Sequence, residues 1–171
     1  MKGYSKVKIN YVNGDATDPK EYGTKIILHC CNDLGLWGAG FVLAISKKWK
    51  VEEAYRSWAE TKEDKDSTFI LGNYQLVSIL PGSDIMVCNL IGQQGVKRFN
   101  GTPPIRYDAL KKGMQSLSII LPLLPNASIH MPRMGCGLAG GRWEDMEPII
   151  VDTLVKKGIP VTVYDFDDSS S

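Results

Sequence analysis

The order of apolar and polar residues along the chain predicts strands that alternate with helices. Residues Lys6 to Val12 alternate between apolar and polar side chains, which is typical of an outer strand with one face in solvent. Ile26 to Cys31 is apolar without alternation, as expected of a strand that is covered on both faces. Ala127 to Met131 and Val161 to Phe166 are further short runs with strand character. These four segments predict a sheet with a buried middle and with its first strand on the outside.

Apolar residues at helical spacing predict helices in the intervening segments. The stripe that begins at Phe41 and the stripe that begins at Val51 indicate two helices, or one helix with a break. Thr102-Pro103-Pro104 is expected to open the next helix, because proline is tolerated in a first turn. Gly158 and Pro160 are expected to end the last helix. The four stripes are Phe41, Val42, Ile45 and Trp49; Val51, Ala54, Tyr55 and Trp58; Leu110, Met114, Leu117 and Leu121; and Trp143, Met146, Ile150 and Leu154.

The middle of the chain has the pattern of a β-hairpin. Phe69 to Leu80 and Asp84 to Gln93 are strand-like runs, and Pro81-Gly82-Ser83 between them indicates a turn that joins antiparallel neighbours. The charged, aperiodic segment Glu60 to Ser67 before them is expected to be a solvated loop. Together with the helices, these strands predict a three-layer α/β/α domain around a central mixed six-stranded sheet.

Composition and charge favour one globular domain and disfavour several classes of partner. The chain has 171 residues, of which 43% are hydrophobic, so we expect a single domain over residues 1–166 and a disordered polar tail at 167–171. The 20 Lys and Arg residues nearly balance 19 Asp and Glu residues, which disfavours nucleic acid as a partner. No apolar run has membrane-spanning length and no signal-peptide pattern occurs, so we expect a cytoplasmic protein without a membrane partner.

The cysteines give no pattern for a metal site or a disulfide. Cys30 and Cys31 are adjacent, Cys88 and Cys136 are far from them, and neither C-x-x-C nor H-x-x-x-H spacing occurs. Adjacent cysteines rarely form a structural bridge. We therefore expect reduced thiols, no metal and no cofactor.

Two glycine-rich segments follow predicted strands and lead into helices. The first runs from His29 to Phe41 and the second from Pro132 to Gly141. Unpaired amides at a helix N-terminus favour phosphate, and glycine allows the backbone to approach it closely. The spacing of Gly35, Gly38 and Gly40 differs from the dinucleotide-binding fingerprint, and either loop alone could be an ordinary turn. Two such loops at the same edge of a sheet fit a ligand with two or more phosphates.

Three segments carry motifs that occur together in one known family. They are Asn13-Gly14-Asp15, His29-Cys30-Cys31-Asn32 with Trp37-Gly38-Ala39-Gly40, and the run from Met131 to Glu144. The combination resembles the macro domain, the ADP-ribose-binding fold, from about Lys6 to Phe166. Within that family it is most similar to the branch of the ADP-ribose 1''-phosphate phosphatases and the ADP-ribosyl-glutamate hydrolases. The His-x-Cys-Asn and Trp-Gly-x-Gly runs resemble the phosphatases.

The resemblance implies a set of ligand-binding residues. Asp15 matches the carboxylate that accepts a hydrogen bond from the adenine amino group, although its sequence context also allows a turn aspartate. Tyr164 or Phe166 is expected beside the adenine, with core packing as the alternative. Trp37 is expected to close over the distal ribose, or else to pack on the next helix. The implied ligand-binding residues are Asp15, Ala16, Cys31, Gly35, Trp37, Gly38, Ala39, Gly40, Phe41, Met134, Gly135, Cys136, Gly137, Leu138, Ala139 and Tyr164.

If the chain is a phosphatase, we expect catalysis at the end of the first loop that contains His29, Asn32 and Asp33. His29 could activate water or protonate a leaving oxygen, or it could be a buried histidine whose hydrogen bonds are satisfied. Asn32 matches the asparagine that holds the distal ribose, but it could simply stabilise its loop. Asp33 could orient water or cap the helix entry. Cys136 could attack as a thiolate, with amide lining of the pocket as the simpler role.

Two departures from the family pattern bear on the mechanism. The glutamate hydrolases of this branch use a lysine and an aspartate, and the matching positions here are Gln93 and Ala139, with Lys97 as the nearest lysine. The resemblance therefore implies a monomer that hydrolyses ADP-ribose 1''-phosphate to ADP-ribose and phosphate without metal. The alternatives are an ADP-ribosyl hydrolase that acts on protein, nucleic acid or O-acetyl-ADP-ribose, and a non-catalytic ADP-ribose reader.

Overall fold

The structure is a computed structural model that describes residues 8–166. The expected tail at 167–171 and the first two residues of the predicted Lys6 to Val12 strand lie outside this range. The described elements are β1 Asn10–Asn13, β2 Lys25–Asn32, α1 Val42–Ser46, α2 Glu52–Ala59, β3 Tyr74–Ser78, β4 Ile85–Gln93, α3 Tyr107–Ile120, a 3-10 turn Leu121–Leu123, β5 Ser128–Met131, α4 Trp143–Thr153, a 3-10 turn Val155–Lys157 and β6 Val161–Asp165.

The strands form one mixed sheet in the order β1-β6-β5-β2-β4-β3. Neighbouring strands are parallel except for β3, which pairs antiparallel with β4. The central strand β2 is buried at seven of its eight positions, as its unbroken apolar sequence predicts. The structure thus confirms an outer first strand, a covered second strand and a hairpin in the middle of the chain.

Helices cover both faces of the sheet and create the three predicted layers. On one face, Leu28 of β2 packs in a core with Leu110 of α3 and Ile150 of α4. On the other face, Ile27 of β2 packs in a second core with Tyr55 of α2. Successive side chains of a strand point to opposite faces of the sheet. A strand between two helical layers is therefore covered on both faces, and its sequence is mainly apolar. Within residues 8–166, no helix is both long enough and apolar enough to cross a bilayer.

The helix that was expected to open at Thr102-Pro103-Pro104 begins later, at Tyr107. The carbonyl of the second proline accepts a hydrogen bond from the Gln94 amide at 2.8 Å. The Arg106 amide donates to the carbonyl of Gly92, also at 2.8 Å. These bonds attach the segment to the end of β4, so its backbone groups are not available to a helical turn.

The carboxyl ends of β1, β2, β4, β5 and β6 lie at one edge of the sheet, because these strands are parallel to one another. Residues 33–41, here called the first glycine loop, follow β2, and residues 132–142, the second glycine loop, follow β5. The turn at Gly14 follows β1. In sheets of this kind ligands bind at the edge where the strands end.

Candidate functional site

A cleft made of three adjoining cavities lies between the two glycine loops. The first cavity, of about 310 Å³, is lined by Asp15 and Tyr164 among others. It shares Phe41 and Pro132 with a middle cavity of about 250 Å³. The middle cavity shares five lining residues, including Leu138, with a third cavity of about 450 Å³. The cleft is therefore continuous, and the middle cavity joins the two ends.

Asp15 faces the first cavity with one carboxylate oxygen already engaged. Its Oδ1 accepts hydrogen bonds from the amide and the hydroxyl of Thr17, at 2.8 and 2.7 Å. Burial alone would raise the pKa of this carboxyl, but the bonds from Thr17 and the charges of Lys48 and Lys47 hold the pKa below its ordinary value. Asp15 is thus a turn aspartate, as one interpretation predicts. It is also an ionised group that can accept a hydrogen bond from a ligand, because its Oδ2 has no donor among residues 8–166.

Tyr164 also lines the first cavity, and its position is fixed by its neighbours. Its hydroxyl lies 2.7 Å from Nδ1 of the fully buried His130, and its ring packs next to Gly14. Burial raises the pKa of Tyr164 to about 12, with a further contribution from the charge of Glu21, so the phenol stays neutral. Phe166, which is 68% exposed, lines the same cavity. Both aromatic residues named from the sequence therefore border this space.

The first glycine loop presents unpaired amides to the cleft. The backbone N–H groups of Gly38, Ala39, Gly40 and Phe41 have no acceptor among the described residues. A Cβ built on Gly38 would meet no heavy atom within 4 Å, which shows that this position faces open space. Gly35 instead has a φ of +87° and packs against α2, so its role is to shape the loop. The predicted phosphate cradle at 38–41 is available in this structure.

The second glycine loop presents a similar set of amides, with one correction at Cys136. Among the described residues, the N–H groups of Gly135, Gly137, Leu138 and Ala139 have no acceptor. The Cys136 amide, however, donates to the carbonyl of Arg133 at 3.2 Å, and the Met134 amide donates to that of Pro132 at 2.6 Å. The tight turn uses these two donors, so the expectation that the Cys136 amide lines the phosphate site is wrong. Met134 lines the cleft, although its side chain belongs to the core.

The thiol of Cys136 is also unsuited to nucleophilic attack. Burial raises its pKa above the ordinary value, and the nearby Arg133 guanidinium compensates only in part. A thiol with a raised pKa carries little thiolate near neutral pH. The alternative in which Cys136 attacks a substrate is therefore not supported.

His29 is buried in β2, where its hydrogen bonding is satisfied. Its Nε2 lies 2.5 Å from Oδ1 of Asn89, whose own amide group donates to Gln75. This network assigns the proton to Nε2 and leaves Nδ1 as an acceptor. The ring packs against Trp37 and Phe41, with centroids 5.5 and 5.9 Å away. Burial lowers its pKa to about 4, partly offset by the bond to Asn89, so the imidazole is neutral at pH 7.

Asn32 stabilises the first glycine loop. Its Oδ1 accepts from the amides of Leu34 and Leu36 at 2.9 and 3.1 Å and lies 3.0 Å from the Tyr55 hydroxyl oxygen. Its Nδ2 donates to the carbonyl of Leu36 at 2.8 Å. One N–H of the side chain remains for a ligand in the third cavity, which Asn32 lines. The loop-stabilising interpretation is therefore correct, and contact with the distal ribose stays a prediction.

Asp33 connects the first glycine loop to the segment after β4. Its Oδ1 accepts from the Gly95 amide at 2.8 Å, and its own amide donates to the Gln93 carbonyl at 3.1 Å. Because α1 begins only at Val42, Asp33 does not cap the helix entry, and that alternative is wrong. Asp33 lines none of the three cavities. Its contact with a reacting water stays a prediction.

Three other predicted ligand residues are almost fully buried. Trp37 is 4% exposed, its indole N–H donates to Ser46 at 2.8 Å, and its ring packs on Tyr55. It therefore packs on the following helices, as the alternative interpretation predicts, and because it also borders the third cavity its contact with the distal ribose stays a prediction. Cys31 and Ala16 are 4% and 3% exposed. They can contribute walls to the cleft, but little surface.

The positions that carry the lysine and aspartate in the glutamate hydrolases bring no reactive group here. Gln93 lines the middle and third cavities and donates to the Gly95 carbonyl at 3.1 Å. Ala139 lines the middle cavity, and its methyl side chain has no reactive group. Lys97 is exposed and lines none of the cavities, whereas its neighbour Val96 lines the third. Within residues 8–166, no cluster of three or more His, Cys, Asp or Glu side chains could hold a metal ion.

Sequence reasoning missed four cations that line the cleft, of which Lys47 and Lys48 border the first cavity. Arg133 lines the middle cavity and is held by Asp165 through two hydrogen bonds, at 2.6 and 2.9 Å. Its guanidinium lies 5.1 Å from the ring centres of both Tyr11 and Trp143. Arg56 lines the third cavity. Arg133 falls inside the second glycine motif, but nothing local to α2 marks Arg56 as a cleft residue.

Fold and cleft together define a class of protein, an α/β/α domain with two amide-lined loops at the edge of the sheet where its parallel strands end. No family model matches the chain. A macrodomain protein from Streptomyces coelicolor has a structure similar to that of this chain, with a TM-score of 0.79 and 46% identity over 92% of this chain and 99% of that one. A protein of unknown function from Bacteroides thetaiotaomicron is 50% identical, with a TM-score of 0.85, over 92% and 98%. The chain belongs to the macrodomain family, as its motifs predict.

Relatives with named activities are less similar in sequence. An ADP-ribose 1''-phosphate phosphatase from Meyerozyma guilliermondii is 27% identical over 92% of this chain and 98% of its own length. The ADP-ribose glycohydrolase OARD1 from Bos taurus is 26% identical over 92% and 91%. Chromodomain-helicase-DNA-binding protein 1-like from Mus musculus is 30% identical over 95% of this chain, which spans 18% of the length of that mouse protein. These relatives associate the fold with more than one activity.

Proposed function

We propose that the chain binds ADP-ribose compounds in the cleft and hydrolyses ADP-ribose 1''-phosphate to ADP-ribose and phosphate without a metal ion. The observation that carries the proposal is the match between the three joined cavities and the three parts of the ligand. Adenine occupies the first cavity, the diphosphate occupies the middle one, and the distal ribose occupies the third. The phosphatase relative supports the choice of substrate.

The recognition step uses groups that the fold leaves unpaired. The adenine amino group donates to Oδ2 of Asp15, and the ring lies beside Tyr164. The free amides of residues 38–41 in one loop and of residues 137–139 in the other face the diphosphate from two sides. Hydrogen bonds from amides to an anion are stronger than those between neutral groups, and glycine leaves room for close approach.

In the hydrolytic step, the oxygen of a water molecule bonds to phosphorus as the bond between phosphorus and the ribose oxygen breaks. The ribose oxygen takes a proton, and inorganic phosphate is released. Amides of the first glycine loop stabilise the charge that develops on the phosphoryl oxygens. His29 is a weak base, because burial lowers its pKa to about 4, so its Nδ1 can accept a hydrogen bond from water but removes a proton from it poorly.

The test is phosphate release from ADP-ribose 1''-phosphate by the purified chain in the presence of EDTA. The wild type is expected to release phosphate above background, and substitutions of His29, Asn32 and Asp33 are expected to slow release more than they weaken ADP-ribose binding. Tight binding of ADP-ribose without any turnover would contradict the phosphatase proposal.

A non-catalytic ADP-ribose reader is the second candidate, and the engagement of the expected catalytic groups favours it. His29 and Asn32 use most of their hydrogen-bonding capacity inside the protein, and Gln93 and Ala139 replace the reactive pair of the glutamate hydrolases. If the chain is a reader, His29→Ala changes ADP-ribose affinity little and there is no activity to lose. Removal of ADP-ribose from protein, nucleic acid or O-acetyl-ADP-ribose would require a nucleophile such as Lys97 to reach the distal ribose.

A further inference from the structure

One cation faces the distal end of the cleft. Arg56, on α2, is the single charged side chain among the described residues that line the third cavity. Its side chain is 48% exposed, so it is accessible to a ligand. The nearby polar side chains Asn32 and Gln93 are neutral amides. Arg56 is thus the group at this end that can respond to an extra negative charge.

Contacts between α2 and the first glycine loop fix the position of Arg56. Its Nη1 donates to the carbonyl of Gly35 at 3.2 Å. The preceding residue, Tyr55, donates its hydroxyl proton to the carbonyl of Asn32 at 2.6 Å. One turn later, Ala59 is so close that a Cβ built on Gly35 would lie 2.7 Å from the Ala59 Cβ. Helix and loop pack as one unit, which holds the guanidinium at the rim of the cavity.

The guanidinium of Arg56 still has donors available. Arginine carries five N–H donors in a planar fork that matches phosphate. Nε donates to Glu52 at 2.5 Å, and one N–H of Nη1 is used by Gly35. Nη2 has no acceptor among residues 8–166. A phosphate in the third cavity could therefore be bound without breaking either existing contact.

We infer that Arg56 makes the site selective for an anionic substituent on the distal ribose, so that ADP-ribose 1''-phosphate binds more tightly than ADP-ribose. The inference rests on the proposed function, because it requires the distal ribose to occupy the third cavity. The amides that hold the diphosphate do not discriminate between the two ligands, because both ligands carry it, and the first-loop amides at the third cavity are donors without a formal charge. A phosphomonoester adds up to two negative charges at the end where Arg56 supplies the cation. Glu52 opposes the preference, because its carboxylate already pairs with the guanidinium.

The test compares affinities for the two ligands in matched variants. Arg56→Gln removes the charge and keeps a side chain with N–H donors. We expect its affinity for ADP-ribose 1''-phosphate to fall about tenfold, the value of one charge-assisted hydrogen bond, while its affinity for ADP-ribose is unchanged. Glu52→Gln is expected to shift the preference the other way. Lys156→Gln is the control, since it breaks an i,i+4 ion pair with Asp152 and lines none of the cavities.

Both ligands can be measured by competition with a fluorescent ADP-ribose, read before phosphate release is detectable. The preference of the wild type for ADP-ribose 1''-phosphate over ADP-ribose should weaken as the salt concentration is raised, whereas the affinity ratio of Arg56→Gln should stay constant. An unchanged affinity ratio in Arg56→Gln, with normal ADP-ribose binding, would overturn the role of Arg56 and leave the proposed function standing. An equal loss of both ligands would also overturn it. A wild type that binds no ADP-ribose would overturn the proposed function and the inference together.

Discussion

A valine at Gly38 should separate ligand binding from folding. A Cβ at this position meets no protein atom within 4 Å and the φ of Gly38 lies outside the left-handed region, so Gly38→Val introduces neither a clash nor backbone strain. We expect the free energy of unfolding to change by no more than about 0.5 kcal/mol, as at ordinary surface positions. The new methyl groups occupy the space where a phosphate must approach the loop.

The loss of affinity follows from the hydrogen bonds that the valine prevents. Each amide bond to an anion contributes about 1.5 kcal/mol or more, so the loss of two costs about 3 kcal/mol. That corresponds to roughly a hundredfold weaker binding of ADP-ribose at 25 °C. Isothermal titration gives the affinity, and thermal or urea unfolding of the same samples gives the stability.

Gly92→Ala is the matched control, because it should lower the stability of the fold and leave the affinity for ADP-ribose unchanged. A Cβ on Gly92 would lie 2.3 Å from Leu110 Cδ2 and 2.8 Å from Cys30 Sγ, inside the core. Overpacking of this kind costs about 1–3 kcal/mol of stability. Gly137→Val, in the second loop, should behave like Gly38→Val, since its Cβ also faces open space. A folded Gly38→Val variant that binds ADP-ribose with wild-type affinity would refute the placement of the diphosphate at this loop.

Three further predictions test other parts of the account. Asp15→Ala should weaken ADP-ribose binding about tenfold and leave the binding of ribose 5-phosphate unchanged, which titration with each ligand would measure. Thr17→Val keeps the Asp15 carboxylate and should therefore lose less affinity for ADP-ribose. Burial lowers the pKa of both His29 and His130 to about 4, so as the pH falls these histidines take up protons in the unfolded chain before they do so in the folded one. The free energy of unfolding should therefore be highest above pH 6.5 and should fall between pH 6.5 and 4, by on the order of 3 kcal/mol for each histidine. Urea unfolding across this range checks the slope, which His130→Gln should reduce and which a flat profile would contradict. Asp33→Ala should increase hydrogen exchange at the Gly95 amide, because that N–H loses its acceptor, and equal protection in both proteins would argue against the contact.

The fold could be predicted because its signals are local. The unbroken apolar run in β2 and the stripe that includes Leu110 report burial through their spacing alone. The backbone amides at Gly38 and Gly137 could also be placed, since glycine between a strand and a helix has a recognisable pattern. The late start of α3 could not, because it depends on hydrogen bonds between Arg106 and the end of β4 that no local pattern encodes.

The chemistry of the site was harder to predict, because it depends on which partners a side chain finds in space. His29 is neutral because it is buried, and its Nε2 is bonded to Asn89, which lies sixty positions away in the sequence. Trp37 packs on the helices that follow it. The Cys136 amide is used by the turn of its own loop. Arg56 reaches the cleft only because Gly35 allows α2 to pack against the first glycine loop.

The central claim is that the unpaired amides of the two glycine loops hold the diphosphate of ADP-ribose. Amide NMR of the chain titrated with ADP-ribose tests it most directly, because a new hydrogen bond to an anion shifts the donating proton. We expect the largest shifts at Ala39, Gly40 and Phe41 in one loop and at Leu138 and Ala139 in the other, with little change at the already bonded Cys136 amide. Saturable binding with shifts confined to other surfaces, or no shift at all, would contradict the claim.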